Sequence, residues 1–193
     1  MGFHTFDAEK AERLERPADR YRWVSAEEIV GALTAGGADR ADRAAATVAD
    51  LGSGTGFYTD AVAPHVERVY GVDVQAEMHA FYREKGVPEN VDLVESDVAA
   101  LPFDDGELDA AFSTMTYHEF ASDDALAALA RVIRTDGRLA LFDWSAEGDG
   151  EHGPPADERF AASDAVAALE AAGFDALSAS ERTETFAVIA RAP

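Results

Sequence analysis

The run Val48-Ala49-Asp50-Leu51-Gly52-Ser53-Gly54-Thr55-Gly56 places three glycines at alternate positions directly after an apolar stretch that ends in a carboxylate. Glycine lets the backbone turn sharply and lets a ligand approach where any Cβ would collide. A helix starting just beyond Gly56 would aim free N–H groups at the same place. Such a loop suits a nucleoside-type cofactor. Two further carboxylates follow apolar runs at useful spacing, Asp73 after Val69-Tyr70-Gly71-Val72 and Asp97 after Leu93-Val94-Glu95-Ser96. Each offers two oxygens that accept from neighbouring hydroxyl or amino groups. The dinucleotide fingerprint G-x-G-x-x-G needs its third glycine at position 57, which is Phe57, and no Gly-Lys-Ser or Gly-Lys-Thr phosphate loop occurs. Farther on, Ser113-Thr114-Met115-Thr116-Tyr117-His118 contains a histidine whose ordinary pKa lies near neutrality, the type suited to a general base, with Tyr117 beside it to orient an acceptor. The alternative for His118 is a helix-start residue bonded to backbone. His4, His65, His79 and His152 show no metal-ligand spacing, so no metal is predicted.

These residues need elements to hold them. Apolar segments alternate with helical ones from Thr47 to the end, which predicts an α/β domain with a mainly parallel sheet and helices on both faces. Strands are predicted near Thr47 to Leu51, Arg68 to Asp73, Val91 to Glu95, Leu108 to Thr114, Arg138 to Asp143, Ala176 to Ser180 and Glu184 to Arg191. Only Glu181-Arg182-Thr183 separates the last two, so they should form an antiparallel hairpin. Ser122 to Ile133 reads as a helix with Asp123 and Asp124 in its first turn and Arg131 and Arg134 near its end, charges that complement the macrodipole. Asp136-Gly137 turns the chain into the fifth strand. Ahead of the sheet, Asp7 caps a helical segment through Leu14, Ser25 and Glu28 form a capping box for Ala26 to Leu33, and Gly36-Gly37 stops it. Residues 1–36 are thus a helical cap and 37–193 the core of one domain. Between the two cap helices, Arg20-Tyr21-Arg22-Trp23-Val24 either forms part of a lid or anchors the cap to the core. The glycine- and proline-rich stretch Ser145 to Arg159 is a loop at the carboxyl edge of the sheet, either reaching substrate or a plain insertion.

At 193 residues with 47% hydrophobic content, the chain fits one domain with a sizeable core. No apolar run is long enough to span a bilayer and the first residues lack a signal pattern, so a cytoplasmic location without membrane insertion is expected. Cysteine is absent, which excludes disulfides, thiolate metal sites and cysteine nucleophiles. A formal net charge of −22 repels nucleic acid and anionic membranes. The acid excess, with Lys10 and Lys85 the only lysines, reads as adaptation to a high-salt cytoplasm, a halophilic signature.

The glycine loop, Asp73 and Asp97 together resemble motif I, the acidic ribose-binding position and the adenine-binding position of class I S-adenosylmethionine-dependent methyltransferases. The stretch Leu108 to Phe120 resembles the menaquinone- and ubiquinone-methyltransferase-like branch, and the acidity suggests a haloarchaeal member. The resemblance implies a Rossmann-like seven-stranded sheet with a C-terminal antiparallel hairpin, and S-adenosylmethionine as cofactor. It implies that Asp50, Gly52, Ser53, Gly54 and Gly56 receive the methionine portion, Asp73 with Val74 the ribose end, and Asp97 with Val98 the adenine. Ser113 and Thr114 then lie beside the methionine end, and the partner is a small-molecule acceptor. The absence of cysteine departs from arsenite methyltransferases, and the absence of Asn/Asp-Pro-Pro-aromatic departs from amino-methylating DNA enzymes. The competing readings are a non-catalytic S-adenosylmethionine-binding protein and a nicotinamide-dependent oxidoreductase, the latter disfavoured by Phe57 and the hairpin ending.

Overall fold

The computed structural model describes residues 13–34 and 46–193. Its strands are β1 (Thr47–Leu51), β2 (Arg68–Asp73), β3 (Val91–Glu95), β4 (Leu108–Thr114), β5 (Ile133–Trp144), β6 (Asp175–Glu181) and β7 (Thr185–Arg191). They form one sheet in the order β3-β2-β1-β4-β5-β7-β6. Strands β1 to β5 pair in parallel, and β7 runs antiparallel to both β5 and β6. This is the predicted Rossmann-like architecture, and the first four strands have the predicted bounds.

The helices are α1 (Pro17–Arg20), α2 (Ala26–Thr34), α3 (Phe57–Val62), α4 (Ala76–Lys85), α5 (Tyr117–Phe120), α6 (Asp123–Val132) and α7 (Ala162–Ala171). They divide between the two faces because strand side chains alternate. Val48, Ala110, Phe112, Ala140 and Phe142 pack with Ile29 of α2, Tyr58 and Val62 of α3 and Tyr82 of α4. Ala49, Leu51, Ala111, Leu139 and Leu141 face the opposite way, onto Leu126 and Leu129 of α6 and Ala165 and Leu169 of α7. Helix α6 is fastened at both ends as its sequence suggests. The Ser122 hydroxyl accepts the Ala125 N–H at 3.2 Å, and the Arg131 guanidinium donates to the carbonyls of Phe103 and Leu101 at 2.7 and 2.9 Å.

Three expectations change in detail. Strand β5 begins at Ile133 rather than Arg138, because Ile133 already pairs with Leu108 before the chain turns. The turn itself is where Asp136-Gly137 predicts it, with Asp136 at φ +62°. The hairpin strands are β6 from Asp175 and β7 from Thr185, the latter one residue later than expected. At the cap, Ser25 Oγ accepts the Glu28 N–H at 3.2 Å, but the Glu28 carboxylate engages the Arg182 guanidinium. The predicted segment before Arg13 and the Gly36-Gly37 stop lie outside the described residues.

Strand β1 has β2 on one side and β4 on the other, so the crossovers leave in opposite directions. The carboxyl ends of β1 and β4 therefore border a crevice, the place where open parallel sheets receive ligands.

Candidate functional site

The loop after β1 turns on three glycines in the left-handed region, Gly52 (φ +76°), Gly54 (φ +54°) and Gly56 (φ +79°). Their reasons differ. A Cβ on Gly52 would stand 2.3 Å from Thr116 Cγ2, and one on Gly56 would stand 2.1 Å from the Tyr82 ring, so both are required by packing. A Cβ on Gly54 would meet only Leu14, at 3.7 Å, so that glycine faces open space. The loop is tied to β2: Gly52 and Ser53 donate to the Val72 carbonyl at 2.8 and 2.9 Å, and Gly54 N–H donates to Asp73 Oδ2 at 2.8 Å. Asp73 Oδ1 accepts the Gln75 N–H at 2.8 Å. Two backbone donors thus fix the plane of this carboxylate, and each oxygen keeps a lone pair for a ligand hydroxyl.

A cavity of about 1010 Å³ opens above this loop. Of the predicted site residues, Asp50, Gly52, Ser53, Gly54, Asp73, Val74, Asp97, Val98, Thr114 and His118 line it. Val74 is 59% exposed, an apolar platform at the rim. Asp97 is exposed, and its Oδ1 accepts the Ala99 N–H at 2.8 Å. Gly56, Ser113 and Tyr117 do not line the cavity. Gly56 packs on Tyr82, Ser113 is buried inside β4, and Tyr117 is a core residue whose ring packs edge-on against Phe120, Phe160 and Phe186. Helix α5 is a single turn, and packing sends Tyr117 inward while its neighbour His118 reaches the cavity.

Polar atoms without partners gather around this space. Among the described residues, Asp50 Oδ1, Ser53 Oγ, Thr55 Oγ1 and Arg20 Nε are buried with no hydrogen-bond partner, and all four residues line the cavity. Buried polar atoms are ordinarily satisfied, so such a concentration marks a ligand site. The other Asp50 oxygen accepts from Thr59 Oγ1 at 2.6 Å. Burial pushes the Asp50 carboxyl from 3.8 up to about 7, against the Thr59 hydrogen bond and the Arg20 charge. The Arg20 guanidinium lies over the Tyr58 ring at 4.8 Å, and the Tyr58 hydroxyl reaches the carbonyls of Arg20 and Val24, both at 2.9 Å. Of the aromatic and basic patch, then, Arg20 faces the cavity, Val24 is buried, and Trp23 leans on Trp144 and His152 with ring centroids 5.2 Å away.

The far wall comes from α5 and from the loop after β5. Met115, in the left-handed region at φ +59°, turns the chain out of β4 into α5. Trp144 at the end of β5, with Gly153, Pro154, Pro155 and Glu158 of the 145–159 loop, joins the lining. His118 is 5% exposed, and its Nδ1 stands 2.9 and 3.0 Å from the two oxygens of Asp143, a fully buried residue. Sequence reasoning missed Asp143 as a site residue. Its signal was a carboxylate at the end of the apolar run Leu139-Ala140-Leu141-Phe142. Among the described residues no cluster could hold a metal ion and no helix is long and apolar enough to cross a membrane.

Residues 49–141 match the family model of a methyltransferase domain. The solved structure of an S-adenosylmethionine-dependent methyltransferase from Aquifex aeolicus is similar with a TM-score of 0.83 and 28% identity, covering 98% of this chain and 100% of that one. A methyltransferase-like protein of Schizosaccharomyces pombe is 33% identical over 103 residues, 53% of this chain and 39% of its own. The demethylmenaquinone methyltransferase of Thermus thermophilus is 33% identical over 109 residues, 53% of this chain and 49% of its own. The chain therefore spans at most about half the length of these two curated relatives. In its fold and glycine loop this chain is similar to S-adenosylmethionine-dependent methyltransferases of class I. Its cofactor is S-adenosylmethionine, and the cavity fits it: an open approach at Gly54, an unpartnered carboxylate oxygen on Asp50 for an ammonium, and a pre-oriented carboxylate at Asp73 for a ribose.

Proposed function

We propose that this protein transfers the methyl group of S-adenosylmethionine to a small-molecule acceptor bound in the same cavity. The observation that carries this reading is the convergence of the unpartnered Asp50, Ser53 and Thr55 atoms on the glycine side of a single large space. At about 1010 Å³ the cavity lies at the upper end of the ~300–1,000 Å³ range of small-ligand sites, with room for a cofactor and a modest second molecule. The net charge of −22 disfavours a nucleic-acid acceptor. Similarity to the demethylmenaquinone methyltransferase supports the quinone-methyltransferase-like branch.

When bound, the cofactor supplies an electrophilic methyl group on a good leaving group. The chain's contribution is alignment and exclusion of water. The Gly52–Gly54 backbone and Asp73 hold one side, with Asp50 and Arg20 beside them. Thr114 and His118, with Trp144 and the Pro154-Pro155 segment, close the other. Calorimetry against S-adenosylmethionine, S-adenosylhomocysteine and NAD tests the reading, with binding of the first two and not the third expected. Asp73→Ala is expected to weaken S-adenosylmethionine binding by about 1 to 3 kcal/mol, the cost of removing a charged acceptor from buried partners. Equal affinity in variant and parent removes Asp73 from the site.

A further inference from the structure

His118 and Asp143 are joined more completely than the start of a one-turn helix requires. Asp143 Oδ2 accepts the His118 backbone N–H at 2.6 Å, and Oδ1 accepts the Trp144 N–H at 2.7 Å. The same two oxygens flank His118 Nδ1 at 2.9 and 3.0 Å. An ionised carboxylate only accepts hydrogen bonds, so the proton of the neutral imidazole belongs on Nδ1. Nε2 then carries the lone pair, on a residue that lines the cavity.

We propose that Asp143 is a positioning residue that holds His118 as an Nε2 base, and that the acceptor is a non-anionic molecule whose reacting group bears a proton it must lose, a hydroxyl or an ammonium. This rests on the methyl-transfer reading above. The acceptor's charge follows from what surrounds the ring. Asp143 from β5, Glu119 from α5 with Oε1 at 3.9 Å from Nε2, and Glu158 from the 156–158 turn all face it. Three carboxylates repel a carboxylate or a preformed phenolate, and they favour the imidazolium that proton uptake creates. Burial lowers the basicity of His118, but the Asp143 hydrogen bond and charge, with smaller contributions from Glu119 and Glu158, outweigh it and leave the ring more basic than free imidazole. Phe120, Ala121, Pro154 and Pro155 supply apolar wall for the body of the acceptor. In the step itself the acceptor heteroatom bonds to the methyl carbon as the carbon–sulfur bond opens with its electron pair left on sulfur. A hydroxyl passes its proton to Nε2 as this bond forms, whereas an ammonium gives its proton to Nε2 beforehand and so frees the nitrogen lone pair that attacks; in either case the resulting imidazolium stays against Asp143.

Long-range proton–nitrogen NMR on the protein saturated with S-adenosylhomocysteine reads this without turnover. Neutral His118 is expected to carry its proton on Nδ1 and to titrate above free imidazole. Asp143→Asn, whose amide can donate to Nδ1, is expected to move the proton to Nε2 and lower the titration midpoint, leaving S-adenosylmethionine affinity unchanged. A native ring protonated on Nε2, or a midpoint unmoved in Asp143→Asn, overturns the positioning role. Should the variant fail to fold, the native tautomer and midpoint decide alone. When an acceptor pool is incubated with labelled S-adenosylmethionine, methylated hydroxyl or amino products support the acceptor class and a methyl ester overturns it. Loss of S-adenosylmethionine binding by the native protein would overturn the methyl-transfer reading itself, whereas binding with the opposite tautomer overturns only this inference.

Discussion

Asp50 sits between two neighbours that pull it in opposite directions, Arg20 favouring its charge and Asp73 opposing it, while burial dominates and sets its carboxyl at about 7. The folded chain therefore keeps a proton that the unfolded chain loses near 3.8. Because the native state binds more protons, stability falls as pH rises between those two values, so the free protein bears the cost of a buried charge at neutral pH. An ammonium placed against Oδ1 reverses the preference. Binding of S-adenosylmethionine is thus expected to release a proton at about pH 6 and to tighten as pH rises toward about 8. Calorimetry in buffers of unlike ionisation enthalpy reads the proton directly, and no exchange would place the ammonium elsewhere. The positions of Asp50, Gly52, Gly54 and Asp73 along the cavity wall were legible in the sequence because they follow from local chain: a carboxylate at a strand end and φ values that glycine tolerates. Asp143 was not, since its tie to His118 spans 25 positions and arises only when α5 docks on β5. Tyr117 was misplaced for a related reason, as tertiary packing and not sequence neighbourhood decides which side of a one-turn helix faces the cavity.

The elements that cover the cavity are held by polar fasteners rather than by their own secondary structure. In the 145–159 loop the buried Glu184 carboxylate accepts the Gly150 and Glu151 N–H groups at 3.1 and 2.9 Å. Arg159 lies 3.6 Å from the same carboxylate and donates to the Pro154 and His152 carbonyls at 2.8 and 2.5 Å. Removing one partner of a buried pair leaves the other charge uncompensated, which costs about 3 to 5 kcal/mol. Glu184→Ala is therefore expected to lower unfolding stability by about 3 kcal/mol and to speed hydrogen exchange at Gly150 and Glu151. Stability within about 0.5 kcal/mol of the parent would show that the loop is held otherwise. The loop itself was legible from its glycines and prolines. Its fastening was not, because Glu184 lies 25 positions beyond Arg159 and reads in sequence only as the start of a strand. Helix α6 shows the opposite case, where Ser122, Asp123, Asp124 and Arg131 announce both ends locally.

Across the whole molecule the parallel pairing of β1 to β5 follows from alternating apolar strands and helical runs, and the short polar link before β7 explains the antiparallel finish. Twofold periodicity is robust because one slip would send Phe112 and Leu139 to the wrong faces. Net charge enters stability separately from topology. Surface pairs such as Arg68–Asp92 at 3.0 Å and Arg191–Asp175 at 2.5 Å join side chains that are roughly half exposed. Exposed pairs of this kind contribute about 0 to 1 kcal/mol each and weaken with salt. Against them stands the mutual repulsion of a chain at −22, spread over the entire surface. Repulsion grows with the excess while the pairs are few, so it decides the sign. Raising potassium chloride from about 0.1 M to about 1 M shortens the Debye length from about 10 Å to about 3 Å, below the spacing of most surface carboxylates. The melting temperature is expected to climb over that range. A supporting comparison is a variant with several exposed acids changed to neutral amides away from the cavity, among them Asp104, Asp149 and Glu170, which should melt higher in dilute buffer and gain less from salt. A flat melting temperature in the parent would remove the salt-adaptation reading while leaving the cofactor site untouched, since Asp50 and Asp73 are buried and little screened.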